Sequence, residues 1–140
     1  MTDCYYCRRQ RTGEDPPPGG WLIDGQDWRV GHGPVHMALP GTLRVESRRH
    51  VTDFAGMTGA EASSFGHVLA LLYPAIRQVT GAERIHLLAT MDYQPHFHAW
   101  LYPRAAAEPL RGTACLHRGM ECGQADAEAA AAIAARLAAG

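Results

Sequence analysis

The chain has 140 residues, 46% hydrophobic and 19% charged, with 13 Lys plus Arg against 14 Asp plus Glu. At this length one core removes roughly two thirds of the unfolded surface from water, so a single domain over 1–140 is expected. The balance of charge argues against nucleic-acid or membrane binding by bulk field, and no apolar run approaches the roughly 20 residues of a membrane span.

The N-terminus starts Met1-Thr2-Asp3-Cys4 without a basic region followed by a hydrophobic one, so a cytoplasmic protein is expected. In a reducing compartment Cys4-x-x-Cys7 reads as a metal pair or a redox pair; the spacing of Cys115 and Cys122 is less telling. A free thiol pair is the plainer alternative, and a thioredoxin-like role is disfavoured because Pro16-Pro17-Pro18 follows where a βα unit should begin. Residues 1–20 thus form a Cys-x-x-Cys arm and a Pro-rich loop.

Two apolar stretches, Trp21-Leu22-Ile23 and Trp28-Arg29-Val30, flank Asp24-Gly25 and predict an antiparallel hairpin. Val35–Leu39 and Thr42–Glu46 are the next predicted strands, split by Pro40-Gly41; Leu43 and Val45 alternate with Arg44 and Glu46 as on a half-buried strand. Thr58 with Glu61 has capping-box spacing, and Phe65, Val68, Leu69, Leu72, Tyr73 and Ile76 recur at helical intervals up to Thr80-Gly81. Pro74 is expected to kink this helix or end it near Tyr73. Arg84–Met91 and His96–Tyr102 are predicted antiparallel strands, the second stopped by Pro103-Arg104, and the Ala-rich segment 125–140 is a predicted C-terminal helix. The elements sum to an α+β fold, an antiparallel sheet of about five strands with one main helix packed on it.

On the last strand His96, His98, Trp100 and Tyr102 project to one face. Two imidazoles ~7 Å apart at their Cα atoms suit two groups acting on one phosphate or ester, one attacking and one donating a hydrogen bond. A metal-binding or merely hydrogen-bonded pair has the same spacing. His36 and His86 read as core or edge histidines, and His67 lies near the polar side of the main helix.

The run His96-Phe97-His98-Ala99-Trp100-Leu101-Tyr102-Pro103-Arg104 resembles the histidine triad superfamily of hydrolases and nucleotidyltransferases, whose signature is three His at alternate positions. Pro40–Val51, a strand ending in Arg48-Arg49-His50 before a helix, is similar to a second block of that family, and the resemblance extends from about Cys4 to Arg104. It implies a nucleotide hydrolase or nucleotidyltransferase acting on an anhydride, ester or phosphoramidate bond. With Gln94 at the first triad position, the covalently nucleotidylated His falls on His96, and His98 assists at the phosphate or leaving group. Gln94, Trp100 and Arg104 are the expected substrate contacts, with Arg49 a further source of positive charge.

The galactose-1-phosphate uridylyltransferase branch carries Pro between the first two positions, as in Gln94-Pro95-His96. There a structural zinc is held by a Cys-x-x-Cys pair, the His after the basic strand and the first His of the motif; three of these ligands match Cys4, Cys7 and His50. Gln94 is a poor fourth zinc ligand. Water, Gln94, Cys115 or His117 could substitute, zinc could bind weakly, or it could be absent. The resemblance also implies a homodimer paired through the helix and an edge strand. Competing with the enzyme are a metal-supported nucleotide or small-molecule binding module without turnover and a fold repurposed in a biosynthetic pathway.

Overall fold

The computed structural model describes residues 4–121, 123 and 125–139. The elements are α1 (Tyr5–Thr12), β1 (Trp21–Asp24), β2 (Trp28–His32), β3 (Leu43–Ser47), α2 (Gly59–Thr80), β4 (Ala82–Leu88), β5 (His98–Ala105), α3 (Gly112–Glu121) and α4 (Ala127–Ala139). Short 3-10 turns cover Val35–Met37 and Phe54–Gly56. The five strands form one antiparallel sheet in the order β1-β2-β3-β5-β4. The chain is α+β, as expected. Among the described residues no helix is long and apolar enough to cross a membrane.

Strand alternation gives the sheet two unlike faces. One carries Trp28, Val30, Leu43, Val45, Ala99 and Leu101, and α2 covers it with Phe65, Leu72 and Ile76 to make the core. The other carries two polar rows in register, Arg29 beside Glu46 beside His98, and Gly31 beside Arg44 beside Trp100 beside Leu88. Helices α1 and α3, with the Pro-rich loop, cover this second face. Two glycines permit the close approach: a Cβ on Gly31 would lie 2.6 Å from Pro17, and one on Gly119 would lie 3.1 Å from the Tyr102 ring.

Several expectations are corrected. Val35–Leu39 is not a strand: Pro34 starts a 3-10 turn with Met37 N–H on the Pro34 carbonyl, 3.0 Å. Pro74 neither ends nor divides α2, which runs through it. Pro74 is exposed, as is Ala70 one turn earlier, so the carbonyl left without a donor faces water. Pro103 does not stop β5 but lies inside it, beyond Leu101, the last β5 residue paired with β3, where a missing N–H interrupts no β3 ladder. Helices α1 and α3 were not expected. Both are short, of 8 and 10 residues, and are held by what they cover.

The capping box of α2 is complete, with Thr58 N–H on Glu61 (2.8 Å) and Glu61 N–H on the Thr58 hydroxyl (3.0 Å). Arg49 adds a fork to the same carboxylate, Nη2 at 2.8 Å and Nε at 3.1 Å, tying the exit of β3 to the start of α2. Held first by Arg49 and then by the Thr58 amide, the Glu61 carboxyl titrates at about 2 instead of its ordinary 4.5. A depressed carboxyl contributes its stability in full above the unfolded value and loses it as pH falls through the folded one. Because the Arg49 side chain is 53% exposed and screened by solvent, Glu61→Gln is expected to cost no more than about 1 kcal/mol at neutral pH. Denaturant midpoints of parent and variant should converge as pH drops from 4.5 toward 2; a gap unchanged by pH contradicts the assignment.

Candidate metal centre and cavity

β3 and β5 are antiparallel neighbours, so the residues leaving one and entering the other meet at the same corner of the sheet. Ser47 N–H donates to the Phe97 carbonyl (3.1 Å) and Phe97 N–H to the Val51 carbonyl (2.6 Å), which brings His50 and His96 side by side. Helix α1 is laid over this corner. Cys4 caps it, its sulfur accepting Cys7 N–H at 3.4 Å, so both thiols of the pair face the two imidazoles.

The ligand atoms of Cys4, Cys7, His50 and His96 all lie within 4.8 Å of one another. His96 Nδ1 is 3.4 Å from Cys4 Sγ, 3.6 Å from Cys7 Sγ and 3.2 Å from His50 Nδ1, while His50 Nδ1 is 3.4 Å from Cys7 Sγ. Around a tetrahedral zinc with nitrogen at about 2.0 Å and sulfur at about 2.3 Å, neighbouring ligand atoms are roughly 3.3 to 3.8 Å apart. The four residues fit zinc as a closed, structural site. The second ring nitrogen of His96 supports this, since Nε2–H donates to the Ser47 carbonyl (2.7 Å) and leaves Nδ1 as the lone pair. Burial, reinforced by the positive charge that His50 and His98 can carry, outweighs that hydrogen bond and lowers the proton affinity of His96, as a metal ligand requires.

This geometry differs from the expected ligand set in its fourth member. The fourth metal position, expected at Gln94, Cys115, His117 or a water, is filled by His96. Gln94 is exposed on the turn before β5; Cys115 is buried away from the cluster; His117 is an exposed helix residue beside Glu121; Cys122 lies outside the described residues. His96 does not offer what a nucleophile needs. It is 0% exposed and both ring nitrogens are engaged. The three alternate positions become His96, His98 and Trp100.

His98 opens instead into a cavity of ≈ 650 Å³ on the polar face of the sheet, beside Tyr6, Trp100 and Arg44, with Gln94 at its mouth. Its Nδ1 lies 2.7 Å from the His96 carbonyl, which can only accept, so the neutral ring carries its proton there and keeps the Nε2 lone pair free. The Tyr6 ring stacks on both histidines, centroids 5.2 Å from His96 and 4.8 Å from His98, and so stands between the metal corner and the cavity. Burial pushes its hydroxyl up to about 12, so it remains neutral.

The remaining expected residues divide. Trp100 lines the cavity as expected. Arg104 does not: it projects at the far end of β5 into a separate cleft of ≈ 230 Å³ and pairs with Glu83 at 2.6 Å. Arg49 serves the α2 cap, and His32 is a core histidine with Nδ1 on the Gly33 carbonyl and Nε2 accepting Gly41 N–H, both 2.9 Å. Arg9, Arg44 and Tyr6 were missed as cavity residues. Alternation reads Arg44 and Glu46 as the solvent side of a half-buried strand, so the burial of that side gave no signal in the sequence.

Removing His96 or Cys7 is expected to break the metal centre. His96→Ala and Cys7→Ser should lose the equimolar zinc of the parent by elemental analysis, and chelation should lower the parent's melting temperature while leaving that of the variants unmoved. Gln94→Ala should keep zinc. Retention of zinc by His96→Ala is the contrary result.

No family model matches the sequence, and no curated protein matches it. Solved structures do share its fold. A Hit-like protein of Bartonella henselae, described as involved in cell-cycle regulation, is 10% identical with a TM-score of 0.74, over 99% of this chain and 97% of that one. A zinc-bound histidine triad family protein of Mycobacterium smegmatis is 15% identical with a TM-score of 0.74, over 99% and 95%. A uridylyltransferase is 20% identical with a TM-score of 0.64, and this chain spans 46% of its length. From the metal corner to the C-terminal helix, the chain has the fold of the histidine triad proteins.

Proposed function

We propose that the chain is a nucleotide hydrolase or nucleotidyltransferase in which His98, not His96, is the nucleophile. The observation that carries this is the hydrogen bond from His98 Nδ1 to the His96 carbonyl, which leaves Nε2 unprotonated in a cavity walled by aromatic and basic side chains. The zinc at Cys4, Cys7, His50 and His96 is structural in this reading: it holds α1 against the sheet and, through His96, sets the carbonyl that orients His98. The Nε2 lone pair attacks the phosphorus, the bond to the leaving group breaks with its electron pair going to that group, and a nucleotidyl-His98 forms. Water or another acceptor then displaces His98. The fold shared with a uridylyltransferase supports transfer as one outcome.

A second reading is favoured by Trp100. At the third alternating position an indole can donate a hydrogen bond but not a proton, which suits a nucleotide or small-molecule binding module without turnover. Intact-mass measurement separates the two. Incubation with a nucleotide anhydride is expected to add a nucleotidyl mass to the parent and to Gln94→Ala, and none to His98→Ala, which should keep its zinc. An adduct on zinc-loaded His98→Ala overturns the assignment, and no adduct on any form favours the binding module.

A homodimer belongs to the same reading. β4 is an edge strand with Leu87 46% exposed, and α2 presents Leu71 at 69%, so an edge strand and a helix both offer apolar surface to a second copy. Light scattering is expected to give twice the chain mass in the parent and a shift to monomer in Leu71→Glu/Leu87→Glu. A parent that stays monomeric at all concentrations rejects it.

A further inference from the structure

We propose that Arg44 is the anion-binding residue of the cavity, and that it takes a phosphate group of the ligand while the ligand's apolar remainder lies along Val35, Met37, Leu88 and Met120. The inference deepens the reading of this cavity as a nucleotide site. It does not depend on covalent chemistry at His98.

Charge pairing on the polar face of the sheet leaves Arg44 over. Arg9 Nη1 holds Glu46 Oε2 at 2.9 Å with both side chains 1% exposed, and Arg29 Nε lies 3.3 Å from Asp24. Arg44 comes only to 3.8 Å from the Glu46 oxygen that Arg9 already occupies. Among the described residues its guanidinium makes no hydrogen bond, although its side chain is 9% exposed. With Arg48, which shares Asp24 with Arg29, four arginines thus face two carboxylates, and Arg44 is the one that lines the cavity without a hydrogen bond among the described residues. The acids that line the cavity, Asp15 and Asp92, are exposed at its rim, and Asp15 already accepts the Tyr5 hydroxyl.

A buried guanidinium without acceptors is costly, and its five N–H donors need oxygens. In the free protein aromatic faces compensate part of that cost: the guanidinium carbon is 5.1 Å from the Tyr6 centroid, 5.3 Å from Trp100 and 5.9 Å from Tyr5. Ring faces accept no fork of hydrogen bonds. An oxyanion does, and the planar guanidinium matches two phosphate oxygens at once. Cross-strand register puts Arg44 opposite Trp100 and one step along β3 from Glu46, the partner of His98, so a phosphate held on Arg44 lies beside the His98 ring.

The test is calorimetric binding of AMP and of adenosine, which differ by the phosphate alone, to the zinc-loaded full chain. In the parent, AMP is expected to bind about tenfold or more tighter than adenosine. Arg44→Met is expected to bring that ratio close to unity with adenosine affinity unchanged, whereas Arg84→Gln, an exposed arginine on β4, should keep the parental ratio. If Arg44→Met does not fold, Arg44→Lys carries the test: a point charge without the fork should reduce the ratio several-fold. A folded Arg44→Met, or failing that Arg44→Lys, with the parental ratio overturns the inference, as does a parent that binds AMP no better than adenosine. Phosphate preference retained in a parent that never forms a His98 adduct supports the inference and sinks only the catalytic reading.

Discussion

One hydrogen bond organises this molecule's candidate site, the donation from His96 Nε2 to the Ser47 carbonyl across the β3–β5 corner. It assigns the His96 proton to Nε2 and so presents Nδ1 to the two thiols and to His50. The same ladder positions the His96 carbonyl to receive His98 Nδ1, which leaves Nε2 of the next histidine free on the cavity side. Two chemically identical rings, two residues apart, acquire opposite tautomers and different surroundings. One is buried at the metal corner and the other half-buried in the cavity wall.

The metal corner and the cavity are mechanically one unit because α1 takes part in both. Its first turn supplies Cys4 and Cys7, and the same helix sends Arg9 into a buried pair with Glu46 and stacks Tyr6 on both histidines. A helix of eight residues has no intrinsic reason to persist in water. Its order derives from zinc coordination at one end and the Arg9–Glu46 contact at the other. Such a buried ion pair adds little net stability beside an apolar replacement, but breaking one partner leaves an uncompensated charge. Its consequence here is register: α1 can seat on the sheet in one way.

The unlike faces of the sheet separate the two tasks of the fold. The α2 side is a close-packed apolar core of Trp28, Val45, Phe65, Phe97 and their neighbours, where ordinary burial provides the stability. The opposite side carries charge in its floor and is roofed by prolines, α3 and the 3-10 turn at Val35, which leaves room for a ligand instead of filling the space. Trp100 and Arg44 belong to this second face by strand parity alone.

Period and capping made much of the frame legible in the linear chain: the β1–β2 hairpin at Asp24-Gly25, the alternation of β3, the capping box at Thr58 and Glu61, and the Ala-rich C-terminal helix. These are local signals, each set by neighbours a few residues away. The helices α1 and α3 were illegible for the complementary reason, since a pattern over only 8 and 10 residues is too short to stand out, and their order comes from a metal or from covering a strand. Proline was misjudged at 74 and 103 because its cost depends on whether the lost donor faces water or an open edge, which is a tertiary fact. Likewise the residues of the metal corner could be named from Cys4-x-x-Cys7, His50 and the 94–100 run, but not their division of labour. Spacing alone could not say whether Gln94 or His96 completes the tetrahedron, because that is decided by which side chain the antiparallel pairing of β3 and β5 turns inward beneath α1, contacts that join positions 47 and 96 across 49 residues of chain.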